Sequence, residues 1–297
     1  MATLAANGIN IEYDDTGDRN APAILLIMGF AMQLIAWPDA LCAGLAGRGF
    51  RVIRFDNRDI GLSTKIESAA PVSAFEALTR AMKGEAIEAP YTLRDMALDA
   101  IGVLDGLEID KAHIVGASMG GMIAQIVAAE HAARARSLVS IMSTSGNPKL
   151  PQAKPEAMAA LLAPRATERE AAIVQSMKTN RIIGSPGFPT SDADLRAKVE
   201  RGIDRCFYPP GLSRQFVAIL ASGSRVEMLK RVRVPTLVLH GADDPLVPVE
   251  GGKETAALVP GAKLEIIPGM GHDFAAGLVP ILVNAIARHC HSVDAAV

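Results

Sequence analysis

Three side chains far apart in the 297-residue chain, Ser118, Asp244 and His272, have the chemistry of one acyl-transfer site. A hydroxyl is a poor nucleophile near neutral pH and needs a base within hydrogen-bond reach. That base in turn needs an acid to fix its tautomer and stabilise the imidazolium. Ser118 lies in residues 112–121, AHIVGASMGG, with Gly116 and Gly120 two places to either side. Small residues there let a strand turn sharply into a helix, a corner that pushes the tip residue toward positive φ and lifts its hydroxyl to the top of a sheet. Among 26 glycines the five-residue spacing alone is a weak signal.

The base and acid follow from what else the chain offers. Of six histidines, His113 sits within a predicted strand, while His131, His289 and His291 fall near predicted helix ends. His240 belongs to the His-Gly pair before the acid loop and reads as a turn holder. His272, in LEIIPGMGHD, stands in a glycine-flanked loop after a late strand. In VLHGADDPLVP, Asp243 and Asp244 compete for the acid; Asp243 can instead cap the turn or the next helix, and motif register favours Asp244. The strand ending near Ser143 has no adjacent carboxylate to take that role. The oxyanion needs donors worth about 3 kcal/mol each. The backbone N–H groups of Met119, at the start of the helix after Ser118, and of Phe30, just after Gly29, are assigned to it.

These residues need strand ends to hold them. Residues 3–15 read as two strands joined at Asn7-Gly8, and residues 23–28 and 51–55 as buried strands. A helix is predicted over 37–47, a short one over 73–82, and another from Thr92, which with Asp95 has capping-box spacing, to about 107. Strands are expected at 112–116, 136–143, 234–240 and 263–267, with helices after Ser118, at 249–258 and at about 277–289. Alternating strands and helices predict an α/β fold, a mostly parallel central sheet with helices on both faces. Strand signals vanish between 147 and 233. That stretch is expected to be an inserted helical cap on a core formed by residues 1–146 and 234–297.

Composition bounds the partners. Net charge is -2, with 30 basic and 32 acidic residues interleaved, which argues against nucleic acid. The longest apolar run is too short to span a bilayer. No signal peptide is expected, no His/Cys cluster has metal-ligand spacing, and Cys42, Cys206 and Cys290 read as reduced packing thiols of a cytoplasmic protein. No cofactor is called for, and the sequence sets no oligomeric state. Asp56, Arg58 and Asp59 are expected to form a hydrogen-bonded corner supporting the Ser118 turn. Met119, Met122, Met142, Met158 and Met177 divide between core and pocket. Arg165, Arg169, Arg181, Arg196 and Arg201 read as a solvated face. Leu161, Leu162, Ile183, Phe188, Phe207, Tyr208 and Phe216 are the apolar candidates for walls over the serine.

The linked set LLIMGF, VIRFDNRDIGLST, VGASMGGMIAQ, PTLVLHGADDPLVP and IIPGMGH resembles the α/β-hydrolase superfamily, over residues 23–289 apart from the insert. Within it the chain is most similar to carboxylesterases and anthracycline (aclacinomycin-type) methyl esterases. The shared features are Met-Gly at the oxyanion strand end, Trp-Pro shortly after, and an Arg-Asp-x-Gly-x-Ser loop. The resemblance implies the chain order Ser118, Asp244, His272 for a catalytic triad. It also implies a serine carboxylic-ester hydrolase acting on a small to medium, largely hydrophobic ester through an acyl-enzyme. Met28-Gly29 replaces the His-Gly of many relatives and leaves the backbone donor intact. The Gly-Gly-Gly loop of some lipases is absent, which disfavours bulky tertiary-alcohol esters. Serine at residue 118 argues against the haloalkane dehalogenase branch, whose nucleophile is an aspartate. The same triad also serves lyases, perhydrolases and slow-turnover receptors of small ligands.

Overall fold

Asn7 and Gly8 both take positive φ, 48° and 78°, and turn the chain between antiparallel strands β1 (Ala2–Ala6) and β2 (Ile9–Thr16). The computed structural model describes residues 1–67 and 73–296. In it β3 (Ala23–Ile27), β4 (Arg51–Phe55), β5 (Ala112–Ala117), β6 (Ala135–Ile141), β7 (Thr236–Gly241) and β8 (Lys263–Ile267) complete a sheet ordered β1-β2-β4-β3-β5-β6-β7-β8. From β4 to β8 all pairings are parallel, so the carboxyl ends of these strands share one edge.

Side-chain alternation explains why helices cover both faces. Ile24, Leu26, Val52, Val115 and Val139 point to one side, where they pack with α1 (Asp39–Ala46) and the last helix. Leu25, Ile27, Ile53, Phe55, Ile114 and Leu138 point to the other. There they meet α3 (Leu93–Gly106) and α4 (Met119–Glu130), which follow α2 (Ala74–Lys83) in the chain. The capping box expected at Thr92 and Asp95 is present at the start of α3.

Between β6 and β7 the described residues contain helices and no strand: α5 (Pro155–Leu162), α6 (Arg169–Ile183), α7 (Asp192–Arg205), α8 (Pro209–Ser222) and α9 (Val226–Leu229). Ile173, Leu195 and Val199 give this segment a small core of its own, against which Met177 packs. Met177 therefore serves packing here. The chain then returns through β7, α10 (Val249–Leu258), β8 and α11 (Val279–Asp294).

Two elements differ from the sequence reading. The helix expected over 37–47 starts late: α1 begins only at Asp39, and a separate 3₁₀ turn at Leu34–Ala36 lies before Trp37. Pro38 is the reason: it disfavours the helical conformation of the residue before it, and Trp37 sits at φ -67°, ψ 116°. Trp37 is instead fully buried and packs on Phe274 with centroids 4.7 Å apart. The final helix runs past His289 to Asp294. Leu282, Ile286, Cys290 and Val293 are all buried, and their helical spacing carries the apolar stripe beyond residue 289.

His289 on α11 is 7% exposed, and burial pushes its imidazole down to about 4. An unfolded imidazole titrates near ~6.5. Between those values the unfolded chain binds the extra proton, so this contribution to stability is full above about pH 6.5 and is lost as pH falls toward 4, about 3 kcal/mol in all. In urea unfolding, the drop in stability from pH 7.5 to pH 5 should be about 2 kcal/mol larger for the wild type than for His289→Leu. Equal drops would contradict the assignment.

Candidate active site

The turn at residue 118 is built by crowding. A Cβ on Gly116 would stand 2.1 Å from the Gly120 carbonyl oxygen, and one on Gly120 would stand 2.0 Å from that of Ile27. Only hydrogen fits at either place, so β5 closes directly onto α4. Ser118 is left at φ 54°, ψ -119°, a region costly for a side chain and found where surrounding contacts enforce it. Two contacts hold it: the Ser118 N–H donates to the Ile141 carbonyl at 2.9 Å, and Ser143 Oγ donates to the Ser118 carbonyl at 2.8 Å.

His272 arrives from the loop after β8. Its Nε2 lies 3.0 Å from Ser118 Oγ, and its Nδ1 lies 2.7 Å from Asp244 Oδ2. The other carboxylate oxygen, Oδ1, accepts from the backbone N–H groups of Leu246 and Val247 at 2.9 and 2.8 Å. One oxygen of Asp244 is thereby anchored and the other aimed at the imidazole. Asp243 turns away and accepts from the Gly269 N–H at 2.8 Å. His240 is fully buried, donates from Nε2 to the Val247 carbonyl at 2.8 Å, and is held neutral by burial. It braces the acid loop, as its position in the sequence suggested.

Phe30 and Met119 supply N–H groups beside the serine. Met119 opens α4, where the first N–H groups have no intrahelical acceptor. The Phe30 N–H makes no hydrogen bond among the described residues. The loop that carries it crowds the serine: a Cβ on Gly29 would lie 3.1 Å from Ser118 Cβ. A hydroxyl, an imidazole and a carboxylate thus converge at the carboxyl ends of β5, β7 and β8, with the Gly29 loop after β3 packed against the serine. That arrangement can deprotonate an alcohol, and the Phe30 and Met119 N–H groups are the candidates to receive negative charge developing on a carbonyl oxygen.

The charged corner after β4 is hydrogen-bonded as expected, but its side chains bond to residues of its own loop, α3 and the helices between β6 and β7 rather than to the Ser118 turn. Asp56, Asp59 and Asp99 are essentially buried, and each meets an arginine. Arg58 is bidentate to Asp99, both contacts 2.6 Å. Arg205 of α7 reaches Asp56 at 2.7 Å, and Arg214 of α8 reaches Asp59 at 2.8 and 2.7 Å. Burial pushes the Asp56 and Asp99 carboxyls up, against the opposing pull of their hydrogen bonds and arginines. Arg205, Arg214 and Gln215, which joins them from α8, could not be found by spacing: their partners lie some 150 residues earlier. By contrast Arg169, Arg181 and Arg196 form exposed pairs with Asp204, Asp192 and Glu170, as read from sequence. Arg201 is also exposed and pairs with Asp39 of α1, whereas Arg165 departs from that face: it is half-buried, donates to the Leu161 carbonyl, and burial pulls its guanidinium down.

The apolar residues assigned to walls divide. Phe216 stands edge-on to Phe30, centroids 6.1 Å apart, next to the candidate donor. Tyr208 instead bonds and stacks with Arg214, Phe207 points to solvent, and Phe188 covers Gly277 beside the His272 loop. The segment between β6 and β7 also holds that loop directly, since the His272 N–H donates to the Ile183 carbonyl at 2.7 Å and the Gly271 N–H to Ser185 Oγ at 2.9 Å. A cleft of about 370 Å³ between α11 and the amino ends of β6 and β7 contains none of these residues and lies at the opposite edge of the sheet. Among the described residues no group of acidic, His or Cys side chains has a metal-binding arrangement, and no helix is long and apolar enough to cross a membrane.

Comparison with known proteins gives the fold family. A family model described as alpha/beta hydrolase fold matches residues 22–275. The rhodomycin D methylesterase of Streptomyces peucetius is 27% identical over 95% of both chains. A bifunctional esterase/perhydrolase of Acinetobacter calcoaceticus is 26% identical over 90% of both. Among solved structures, a meta-cleavage product hydrolase from Pseudomonas fluorescens superposes with a TM-score of 0.79 at 20% identity, covering 98% of each chain.

Proposed function

We propose that this chain, which belongs to the alpha/beta hydrolase fold family, is a serine carboxylic-ester hydrolase. The observation that carries the reading is the unbroken run from Asp244 through His272 to Ser118, with contacts of 2.7 and 3.0 Å. His272 Nε2 takes the hydroxyl proton as Ser118 Oγ attacks the ester carbonyl. The Phe30 and Met119 N–H groups receive the charge that forms on the carbonyl oxygen. Collapse of the tetrahedral adduct breaks the ester C–O bond, and the imidazolium protonates the departing alcohol. Water, deprotonated by the same imidazole, then releases the acyl group as a carboxylate and restores Ser118. Asp244 keeps the proton of neutral His272 on Nδ1 and stabilises the imidazolium in both halves.

Residues 147–233 act as a cap over a core of residues 1–146 and 234–297. Support for that division comes from the lack of strands among the described residues of the segment and from its grip on core loops through Arg205, Arg214 and Ser185. The substrate is a small to medium, largely hydrophobic ester. The rhodomycin D methylesterase likeness and the Phe30–Phe216 wall favour it. Three unpaired cysteines fit a reducing, cytoplasmic setting. A perhydrolase reading, with hydrogen peroxide replacing water at the acyl-enzyme, is favoured by the relative named as a bifunctional esterase/perhydrolase.

The test is turnover of p-nitrophenyl esters from acetate to decanoate by the wild type beside Ser118→Ala. Ser118-dependent turnover supports the reading, and the acyl length at which kcat/KM peaks measures the pocket. Turnover that survives the substitution would reject it. A chain that binds these esters and gains thermal stability without turning them over would be a receptor.

A further inference from the structure

We infer that Gln215, a side chain of the cap helix α8, positions the oxyanion donor at Phe30, so that acyl transfer depends on how the cap is seated. The inference rests on the esterase reading above.

Residues 29–32 form a tight turn, closed by the Met32 N–H on the Gly29 carbonyl at 3.4 Å. Its third residue, Ala31, has φ 62°, a left-handed conformation that glycine normally supplies. With a side chain there the conformation costs about 1 kcal/mol or more, so contacts from outside the turn must enforce it. The peptides flanking the donor show which contacts these are. On the near side, the Met28 carbonyl accepts from Asn57 Nδ2 at 2.8 Å. On the far side, the Ala31 N–H donates to Gln215 Oε1 at 3.0 Å. The peptide between them carries the Phe30 N–H, which has no partner among the described residues. Two side-chain amides, one from the core and one from the cap, thus pin the neighbours of the donor and leave the donor free.

Gln215 is suited to this because nothing else can satisfy it. It is fully buried, and its Nε2 donates to the Arg58 carbonyl at 2.9 Å. Oxygen faces an N–H and nitrogen faces a carbonyl, so the amide has one satisfied orientation. Its helix is seated on the same core loop. Arg214 pairs bidentately with Asp59, and a Cβ on Gly211 would meet the Asp59 carbonyl oxygen at 2.1 Å. Phe216 completes the contact by packing on the Phe30 ring. Three successive residues of α8 thereby fix Phe30: Arg214 through the Asp59 loop, Gln215 through the adjacent peptide and Phe216 through the ring. Gln215 is a positioning residue, since it touches the donor's neighbour and not the reacting atoms.

Losing an oxyanion donor outright costs about 10²- to 10³-fold in kcat, and a misaimed donor costs part of that. Gln215→Met keeps the volume and removes both hydrogen bonds. It should lower kcat on a short p-nitrophenyl ester by about 10- to 100-fold while KM stays within about threefold. Affinity for a trifluoromethyl ketone, whose serine adduct carries the oxyanion, should fall by the same factor as kcat. Amide hydrogen exchange across residues 28–34 should rise. Gln215→Glu, whose carboxyl stays protonated when buried beside a carbonyl, keeps an oxygen toward the Ala31 N–H, gives its O–H to the Arg58 carbonyl and should stay within about fivefold of wild-type kcat. Val199→Ala, which loosens the cap's own core away from the site, should lower the melting temperature and leave kcat intact.

An unchanged kcat in Gln215→Met, or an equal loss in Val199→Ala, would overturn the inference. If Gln215→Met does not fold, loss of more than tenfold in Gln215→Glu overturns it. In each of these cases wild-type turnover and its dependence on Ser118 still stand. A wild type without Ser118-dependent turnover instead sinks the esterase reading and this inference together.

Discussion

Ser118→Ala is expected to lower kcat by about 10⁴- to 10⁶-fold on any ester the wild type turns over, leaving a residue of rate owed to the oxyanion donors and binding. The size follows from what the hydroxyl does. It is the atom that forms the acyl bond, and neither His272 nor Asp244 can act on the carbonyl without it. Folding should be almost untouched, because the contacts holding residue 118 in place are made by its backbone: its N–H to Ile141 and its carbonyl to Ser143. Alanine tolerates φ 54° no better than serine does, so the strained corner persists. Melting temperature within about 2 °C of the wild type, alongside the collapse of kcat, separates lost chemistry from lost structure.

Asp244→Asn is expected to lower kcat by about 10⁴-fold with little change in KM. The cause is a proton in the wrong place. Asp244 Oδ1 accepts from two backbone N–H groups, so the amide oxygen of an asparagine must occupy that position. Its NH₂ then faces His272 Nδ1, which can meet a donor only as an acceptor. The neutral imidazole therefore carries its proton on Nε2, toward Ser118, and cannot act as base. Asp243→Asn is the matched control. Among the described residues the Asp243 carboxylate accepts only the Gly269 N–H, a bond that the asparagine oxygen can keep, and kcat should change by less than about tenfold. Equal losses in both variants would mean that the carboxylates act through loop stability or charge alone.

The strand ends were legible because they are local. Buried runs such as AILLI, the Gly116 and Gly120 pair and the Asn7-Gly8 turn each carry their conformation in a few residues, and the structure puts Ser118, Asp244 and His272 within contact from that pattern. The late start of α1 after Pro38 is equally local, since proline restricts the residue before it, but the helical composition of the flanking residues masks it. What the helices between β6 and β7 contact was not legible. Arg205, Arg214 and Gln215 look like ordinary helix residues, and only the folded chain brings them to carboxylates and amides near residues 31–59. The apolar residues of the insert had no readable direction for the same reason. A helix's inward face depends on where it docks, and Phe216 and Phe188 docked against different loops.

Reaction with a fluorophosphonate, followed by peptide mass mapping, addresses the nucleophile itself without choosing a substrate. The phosphonyl group should add once per chain, on Ser118, with fluoride leaving and ester turnover lost in proportion to labelling. It should fail to add to Ser118→Ala and add far more slowly to His272→Ala. An adduct on another residue, or full ester turnover by a chain that has taken up the label, would contradict the assignment of Ser118.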